Sequence, residues 1–336
     1  MNNKKIVITG GAGFIGSQLG HKLDQEGYDV LLMDDMSFGY QDNLTIEGKT
    51  FGTFVKADIR TKEIFDILKN TDTVYHFAGI SALPVCQENP YYAIDVNVAG
   101  TANVLEAARL NNVRRVIFAS TSATYENSTS FPVKETDTVS PHLLYSCSKL
   151  QGEILCKSYF KTYGMEVVII RFFNVYGPHQ DFKRISPPLT SYLIKCFLQG
   201  KQPMLHSSGT QKRDYVYVDD LNRLNKLCMT HPAAPGNIFN AASGSSYSVL
   251  EIYDLLAKAF GTDIKPAFQA ASKFWDKYPK LFEGSRPFPE QLLEKEVNKY
   301  SLGDTSHTLE KIGWKAEVSL QDGMNKTALY AKQLDL

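Results

Sequence analysis

Thr9-Gly10-Gly11-Ala12-Gly13-Phe14-Ile15-Gly16 follows a β-branched run at 5–9 and opens directly into an amphipathic stretch at 16–26. Glycines at 10, 13 and 16 permit a tight turn, a close backbone approach to a pyrophosphate, and close packing of helix on strand. The phosphates are then expected on the helix N-terminus, around Phe14 and Ile15, where free N–H groups and the macrodipole favour negative charge. A second apolar run at 30–33 ends in Asp34 and Asp35, about 20 residues downstream of the glycines, the spacing at which a carboxylate accepts hydrogen bonds from ribose hydroxyls. The same carboxylate repels a 2′-phosphate, so NAD is expected rather than NADP. Asp58 and Ile59, after a third candidate strand, are expected to frame the adenine.

Outward from this unit the alternation continues, with strand-like runs at 73–76, 116–119 and 166–171 and helical patterns at 96–110 and 145–163. Strands alternating with helices imply right-handed βαβ crossovers and an α/β, doubly wound parallel (Rossmann) sheet. Beyond Gly177 the regularity breaks at Pro178, Pro187, Pro188 and Pro203, with further strand-like runs at 214–218 and near 238–240. The expected organisation is an NAD-binding domain from 1–176 plus about 210–242, and a smaller, discontinuous α/β substrate lobe from 177–209 plus 243–336. The proline-rich, charged stretch 265–298 reads as loops with short helices.

The 336 residues balance 36 Lys+Arg against 36 Asp+Glu, so no global positive field holds nucleic acid or an anionic membrane surface. An anionic ligand must be held locally. The N-terminal apolar run is too short for a signal peptide, and no segment approaches a membrane span. Cys86, Cys147, Cys156, Cys196 and Cys228 are scattered and odd in number, which fits reduced thiols in the cytoplasm. His21, His231 and His307 show no metal-ligand spacing, and no metal is expected.

Tyr145 and Lys149 are four residues apart in a helical pattern and share one face. A tyrosine is too weak a base at neutral pH, but a neighbouring ammonium and a cationic nicotinamide both favour the phenolate. It could then take a proton from a sugar hydroxyl. Ser120-Thr121-Ser122 follows the strand at 116–119, which puts hydroxyls at the carboxyl end of the sheet, where ligands bind in this architecture.

Further motifs follow in order: His76-Phe77-Ala78-Gly79, Asn97-Val98-Ala99-Gly100-Thr101, Ser120-Thr121-Ser122-Ala123-Thr124-Tyr125, and Arg171-Phe172-Phe173-Asn174-Val175-Tyr176-Gly177-Pro178. Gln211-Lys212-Arg213-Asp214-Tyr215-Val216-Tyr217-Val218 and a late Ile312-Gly313-Trp314 complete the set. Over nearly its whole length the chain resembles the extended short-chain dehydrogenase/reductase family, specifically its NAD-dependent epimerase/dehydratase group of nucleotide-sugar enzymes. The resemblance implies that Tyr145 is the catalytic base and that Lys149 binds the nicotinamide ribose. It makes Thr121 the catalytic hydroxyl, with Ser122 as the alternative, and adds Phe77, Ala78 and Asn97 to the cofactor site. Asn174, Arg213 and Arg286 would hold the substrate diphosphate, although Pro287-Phe288 replaces the usual Gly-Asp after Arg286. Helices around 95–111 and 145–163 correspond to those through which relatives form homodimers.

An ordinary C–H cannot be inverted by a protein base, because that hydrogen is not acidic; transient oxidation to a ketone removes the difficulty. The related dehydratases need a carboxylate two residues after the catalytic hydroxyl, where this chain has Ala123. Epimerisation, at C4 of a UDP-sugar, is therefore the leading expectation. The alternatives are a dehydratase or 3,5-epimerase that recruits Cys147 or Cys86, and a catalytically silent NAD-binding module, against which the intact Tyr145 and Lys149 argue. In the 4-epimerases resembled, the residue three before Asp304, here Ser301, guards the C2 substituent; a small side chain there leaves room for an N-acetyl group. Cys86 stands where a serine is usual near the sugar, and Gly79 replaces a common alanine.

Overall fold

The computed structural model describes residues 2–46 and 48–334. Its centre is a seven-stranded, all-parallel sheet built from β1 (Asn2–Thr9), β2 (Tyr28–Asp34), β3 (Thr53–Lys56), β4 (Thr71–His76), β5 (Arg115–Thr121), β6 (Glu166–Phe172) and, later in the chain, Ile238–Ala241. Their order is β3-β2-β1-β4-β5-β6 with Ile238–Ala241 on the far edge. The strand order reverses between β1 and β4, and ligands bind outside the carboxyl ends of the strands at such a switch point.

Both faces of the sheet are covered, and the side-chain period of two sorts each strand between them. Ile6 and Ile8 of β1 join Leu19, Leu32, Ile117 and Phe239 in one core, whereas Val7 joins Val74, Val104, Val116, Phe118 and Cys156 in the other. All seven residues of β5 are buried, as a strand with helices on both faces requires. The flanking helices include α1 (Phe14–Gln25), α2 (Gly100–Leu110), α3 (Leu144–Tyr163) and α5 (Val218–Thr230), whereas α4 (Leu189–Leu198) packs in the core of the smaller lobe with Tyr176, Ile252 and Leu256. The expected helix at 96–110 is entered through a π-helical turn, Asp95–Ala99.

A three-stranded sheet stands apart from the central one. It pairs β7 (Asn174–Tyr176) in parallel with β8 (Lys212–Tyr217), and β8 antiparallel with Ser246–Ser248. Thus, of the stretch about 210–242, α5 and Ile238–Ala241 pack with the central sheet, while Lys212–Tyr217 belongs to the smaller one. The segment 265–298 has a core of its own: Trp275, Tyr278, Leu281 and Leu293 pack against Leu83 and Val85, and the segment closes with α6 (Glu290–Asn298). Its apolar residues are interrupted by prolines, so no single period reveals that core in the sequence. Among the described residues no helix is long and apolar enough to cross a membrane. All five cysteines are free thiols.

One buried ion pair joins these elements. Arg171 on β6 and Glu153 on α3 are almost wholly buried, with Nε–Oε1 at 2.9 Å and Nη2–Oε2 at 2.8 Å. Ser120 on β5 donates to Glu153 Oε1 at 2.5 Å, and Arg171 Nη1 donates to the Tyr125 hydroxyl at 2.7 Å. Removing one member leaves a buried charge uncompensated, which costs about 3–5 kcal/mol, whereas replacing both by apolar groups is far milder. Urea unfolding of Glu153→Gln is therefore expected to show a loss of about that size, and the double variant Glu153→Leu/Arg171→Met to recover most of it.

Candidate active site

The cofactor end is built from backbone. Gly10 adopts φ +73°, and a Cβ there would lie 2.7 Å from the Ala78 nitrogen and 2.8 Å from the Phe77 carbonyl carbon. Only glycine lets the first loop lie against the loop after β4, across the switch point. A Cβ on Gly16 would overlap the Gly10 carbonyl, and one on Gly13 would sit 3.2 Å from it, so these two glycines fold the loop on itself. Close packing of helix on strand falls instead to Gly11 and Gly20, which abut Leu32 and which the glycine spacing did not single out. Helix α1 starts at Phe14 with Gly13 as its N-cap and no side-chain cap, so its first N–H groups face the loop free for an anion.

Asp34, at the end of β2, is buried and accepts N–H bonds from Ala12 (3.1 Å) and Met36 (2.8 Å). Burial raises its pKa, and the two amides oppose that shift. Asn97, in the π-turn, bonds Ile80 through both ends of its amide (2.8 and 3.1 Å) and donates to Ser148 Oγ (3.0 Å), tying the 77–80 loop to α3. π-turns of this kind cluster at functional sites. Asp58 lies beyond β3, where Arg60 bridges it to Asp95. Ile59 is buried under Gly100, where an added Cβ would come within 2.6 Å of its Cδ1. An uncapped helix N-terminus, glycines where a Cβ would collide, and a carboxylate at the ribose position fit a dinucleotide such as NAD.

Tyr145 and Lys149 occupy the first two turns of α3, beside the carboxyl end of β5. Burial pushes the Tyr145 phenol up to about 12, opposed by a hydrogen bond with the Thr121 side chain and by the charge of Arg184. Thr121, the last residue of β5, also accepts the Ala123 N–H at 3.1 Å. Thr121, not Ser122, therefore meets the phenol; Ser122 lines a narrow cavity with Tyr125, Glu126, Tyr300 and Ser301. Lys149 is buried, with Nζ 4.3 Å from the centre of the Phe118 ring, and desolvation lowers its pKa to about 8. The absence of a side chain at Gly79 has a local reason: a Cβ would stand 2.9 Å from Asn97 Oδ1 and 3.8 Å from Lys149 Nζ.

Two supporting carboxylates escaped the sequence reading. Glu153 continues the four-residue spacing of Tyr145 and Lys149, and that periodicity was the signal for it. Glu126 accepts from the Leu143 N–H (3.0 Å), the His142 N–H and Ser146 Oγ (2.8 Å), fixing the entry of the chain into α3 where it delivers Tyr145. No sequence signal identified Glu126, because the helix whose entry it fixes starts 18 residues later.

At the substrate end, β7 and β8 bring Asn174 and Arg213 to neighbouring strands. Asn174 Nδ2 donates to the Asp214 carbonyl at 2.8 Å. Arg213 Nη2 donates to the carbonyls of Glu296 (3.0 Å) and Val297 (3.1 Å) at the C-terminal end of α6, where the helix dipole favours a cation. Burial lowers its pKa, and among the described residues it has no carboxylate at ion-pair distance. Ser301 is held to β8: its N–H donates to the Lys212 carbonyl (3.1 Å) and its Oγ accepts the Asp214 N–H (3.2 Å). Arg286 is exposed and shares no hydrogen bond or ion pair with any of these groups. Cys86 is buried beside Tyr145, with Sγ 3.5 Å from the Ile80 carbonyl, and burial pushes its thiol up to about 12. Burial and the Glu126 charge raise the Cys147 thiol as well.

The model of the NAD dependent epimerase/dehydratase family matches residues 6–242. The UDP-glucose 4-epimerase of Mycolicibacterium smegmatis is 30% identical over 96% of this chain and 97% of its own length. Among solved structures, the UDP-glucose 4-epimerase of Thermotoga maritima with UDP-glucose superposes with a TM-score of 0.86 at 29% identity, over 98% of this chain and 99% of the other. The UDP-glucuronic acid 4-epimerase of Bacillus cereus, in complex with UDP-glucuronic acid and NAD, gives 0.82 at 28% identity over 98% and 99%. The match runs from β1 through the last strand of the central sheet, and the chain belongs to the NAD-dependent epimerase/dehydratase family.

Proposed function

We propose that the chain inverts C4 of a UDP-hexose or UDP-N-acetylhexosamine through a transient 4-ketone. The observation that carries this reading is the half-buried Tyr145 phenol facing Thr121 at the carboxyl end of β5, with the methyl group of Ala123 where elimination would need a carboxylate. Cys86 and Cys147 are poor substitutes for that carboxylate, since their surroundings favour the protonated thiol. A dehydratase recruiting them is the weaker reading.

In this mechanism Tyr145 accepts the C4 hydroxyl proton, directly or through the Thr121 hydroxyl, and later returns it. Lys149, as an ammonium, stabilises the phenolate that forms. NAD, held at the glycine loop and Asp34, would supply the oxidising power as a reversible hydride acceptor. Asn174 and Arg213 grip the diphosphate, with the guanidinium fork matched to phosphate oxygens; the ketone is then free to present its other face. Phe14, Ile15, Asp34, Phe77, Ala78 and Asn97 would hold the dinucleotide, with Asp58 and Ile59 toward its adenine. Ser301, small and next to Ser122 in one cavity lining, supports a substrate with a 2-acetamido group.

Leu110, Ile154 and Tyr163 are more than half exposed on α2 and α3, which supports a homodimer through these two helices.

Purified protein incubated with UDP-, GDP- and dTDP-sugars without added cofactor is expected to give a product of unchanged mass with an inverted C4 proton by NMR. A product lighter by one water would instead establish a dehydratase. Tyr145→Phe and Thr121→Ala should retain NAD and lose turnover by factors of about 10²–10⁴; full activity in Tyr145→Phe would refute the mechanism. Removing the Lys149 charge leaves burial to hold the phenol high, so Lys149→Met should move the acid limb of the kcat–pH profile upward by a unit or more, roughly. An unmoved limb would assign the titration to another group. Asp34→Ala should raise the affinity for NADP relative to NAD, read by equilibrium binding to the cofactor-free protein.

A further inference from the structure

His76 closes β4 and turns its imidazole into the interior, where none of it is exposed. The proposed mechanism makes no use of this ring, yet its hydrogen bonds can run in one direction only. Nδ1 lies 2.8 Å from Thr9 Oγ1 at the end of β1, and Nε2 lies 2.9 Å from Thr101 Oγ1 in the first turn of α2. Thr101 donates its hydroxyl proton to the Asn97 carbonyl at 2.7 Å. Because a carbonyl only accepts, the Thr101 oxygen meets His76 as an acceptor, and the imidazole proton stands on Nε2. Nδ1 is then bare and accepts the Thr9 hydroxyl, while Thr9 Oγ1 takes the Ala78 N–H at 3.2 Å. An imidazolium would deprive the Thr9 proton of its acceptor, and burial and the neighbouring Lys149 charge favour the neutral ring as well.

From His76 two routes lead to the helix that carries Tyr145 and Lys149. The first is polar. Asn97, whose carbonyl receives the Thr101 hydroxyl, uses its side-chain amide to hold Ile80 and to donate to Ser148 Oγ, and Ser148 donates to the Tyr145 carbonyl at 2.8 Å. The second is by packing: the His76 ring lies 5.6 Å from that of Phe118 on β5, and Lys149 Nζ stands 4.3 Å from the centre of the same Phe118 ring. Thr9, Asn97, Thr101, Phe118 and Ser148 are all buried, so a contact broken among them is not replaced by bulk water. One imidazole therefore spans the strand that feeds the glycine loop, the π-turn at 95–99 and, through them, α3.

Resting on the 4-epimerase reading, we propose that His76 is a positioning residue for the reaction: as the Nε2–H tautomer it ties Thr9 to Thr101 and the π-turn, and through Asn97, Ser148 and the Phe118 ring it fixes where the Lys149 ammonium stands relative to Tyr145 and the glycine loop. Thr101 is the link that can be cut with least disturbance. A valine there keeps the volume and removes both the acceptor for Nε2–H and the donor to Asn97.

Two measurements on the NAD-loaded enzyme test this. Nitrogen-15 NMR of histidine-labelled protein, with the His76 signals assigned by their loss in His76→Gln, should show a neutral ring protonated on Nε2 and unchanged between about pH 5 and pH 9. A proton on Nδ1, or titration within that interval, would overturn the proposal. Turnover is then measured, with NAD added to saturation, on whichever of UDP-glucose, UDP-N-acetylglucosamine and UDP-glucuronate the unaltered enzyme epimerises. Thr101→Val should lose kcat by about 10–100-fold with KM within about 3-fold, and Thr101→Ser, which keeps the hydroxyl, should recover most of that loss. If Thr101→Val does not fold, Thr9→Val cuts the chain at its other end and is read in the same way. In a Lys149→Met background the valine substitution should lower kcat by less than about 2-fold, because the group through which it acts is gone. Equal losses with and without Lys149 would make these residues part of the fold alone, and a rise in KM at unaltered kcat would place them in substrate binding; either overturns the proposal and leaves the 4-epimerase reading standing. Absence of C4 inversion by the unaltered enzyme on all three sugars would defeat that reading, and the assignment of His76 to its reaction with it.

Discussion

The buried pair of Arg171 and Glu153 sets the position of everything that performs chemistry in this chain. It locks α3, which carries Tyr145 and Lys149, to β6, and through Ser120 to β5, which ends in Thr121. The Arg171 side chain continues to Tyr125, and Tyr125 donates to Asn240 on the edge strand at 2.9 Å. Four elements far apart in sequence therefore share one charge-compensated network. Inside a low-dielectric core such a network must be complete, because each missing partner leaves a desolvated charge or donor. That requirement makes the register between α3 and β5 discrete, and a discrete register is what brings a phenol to a threonine hydroxyl.

The same burial that fixes these groups also sets their proton affinities. Desolvation holds Tyr145 as a neutral phenol and lowers Lys149 to about 8. Both shifts oppose the charged forms that the proposed mechanism uses. In that mechanism a positive charge at the nicotinamide would favour ionisation of a nearby phenol. His76, two residues before Ala78, is the contrasting case: burial drives it down to about 3, and it serves as a neutral bridge between Thr9 and Thr101.

The small sheet and the 265–298 segment form the second wall of the cleft in the proposed reading, opposite the glycine loop. Asp214, buried on β8, accepts N–H bonds from Ser243, Gly244 and Gly303 and so ties two loops together next to Arg213 and Ser301. Its carboxyl is pushed up to about 6 by burial, against those same hydrogen bonds. This lobe is where the chain departs most from a regular pattern.

The sequence by itself determined the parallel sheet, the cofactor loop and the pairing of Tyr145 with Lys149. Each of these rests on local periodicity: glycines three residues apart after a strand, alternation of two, and a four-residue step on a helix. It left Thr121 and Ser122 as alternatives, because the end of a strand has no period to decide which hydroxyl turns inward; in the fold Thr121 faces Tyr145 and Ser122 lines the cavity with Ser301. The roles of Glu126 and of the Arg171–Glu153 pair became visible only in the fold, since their partners are 16 or more residues away, and Arg213 found the end of α6 from a distance of more than 80 residues. Arg286, named by its motif, lies on the exposed surface, because the inserted prolines around it built a separate small core instead of a turn into the cleft. Tertiary structure alone decided which polar groups are buried without partners. A side chain's desolvation is a sum over neighbours from the whole fold, and no local pattern encodes it.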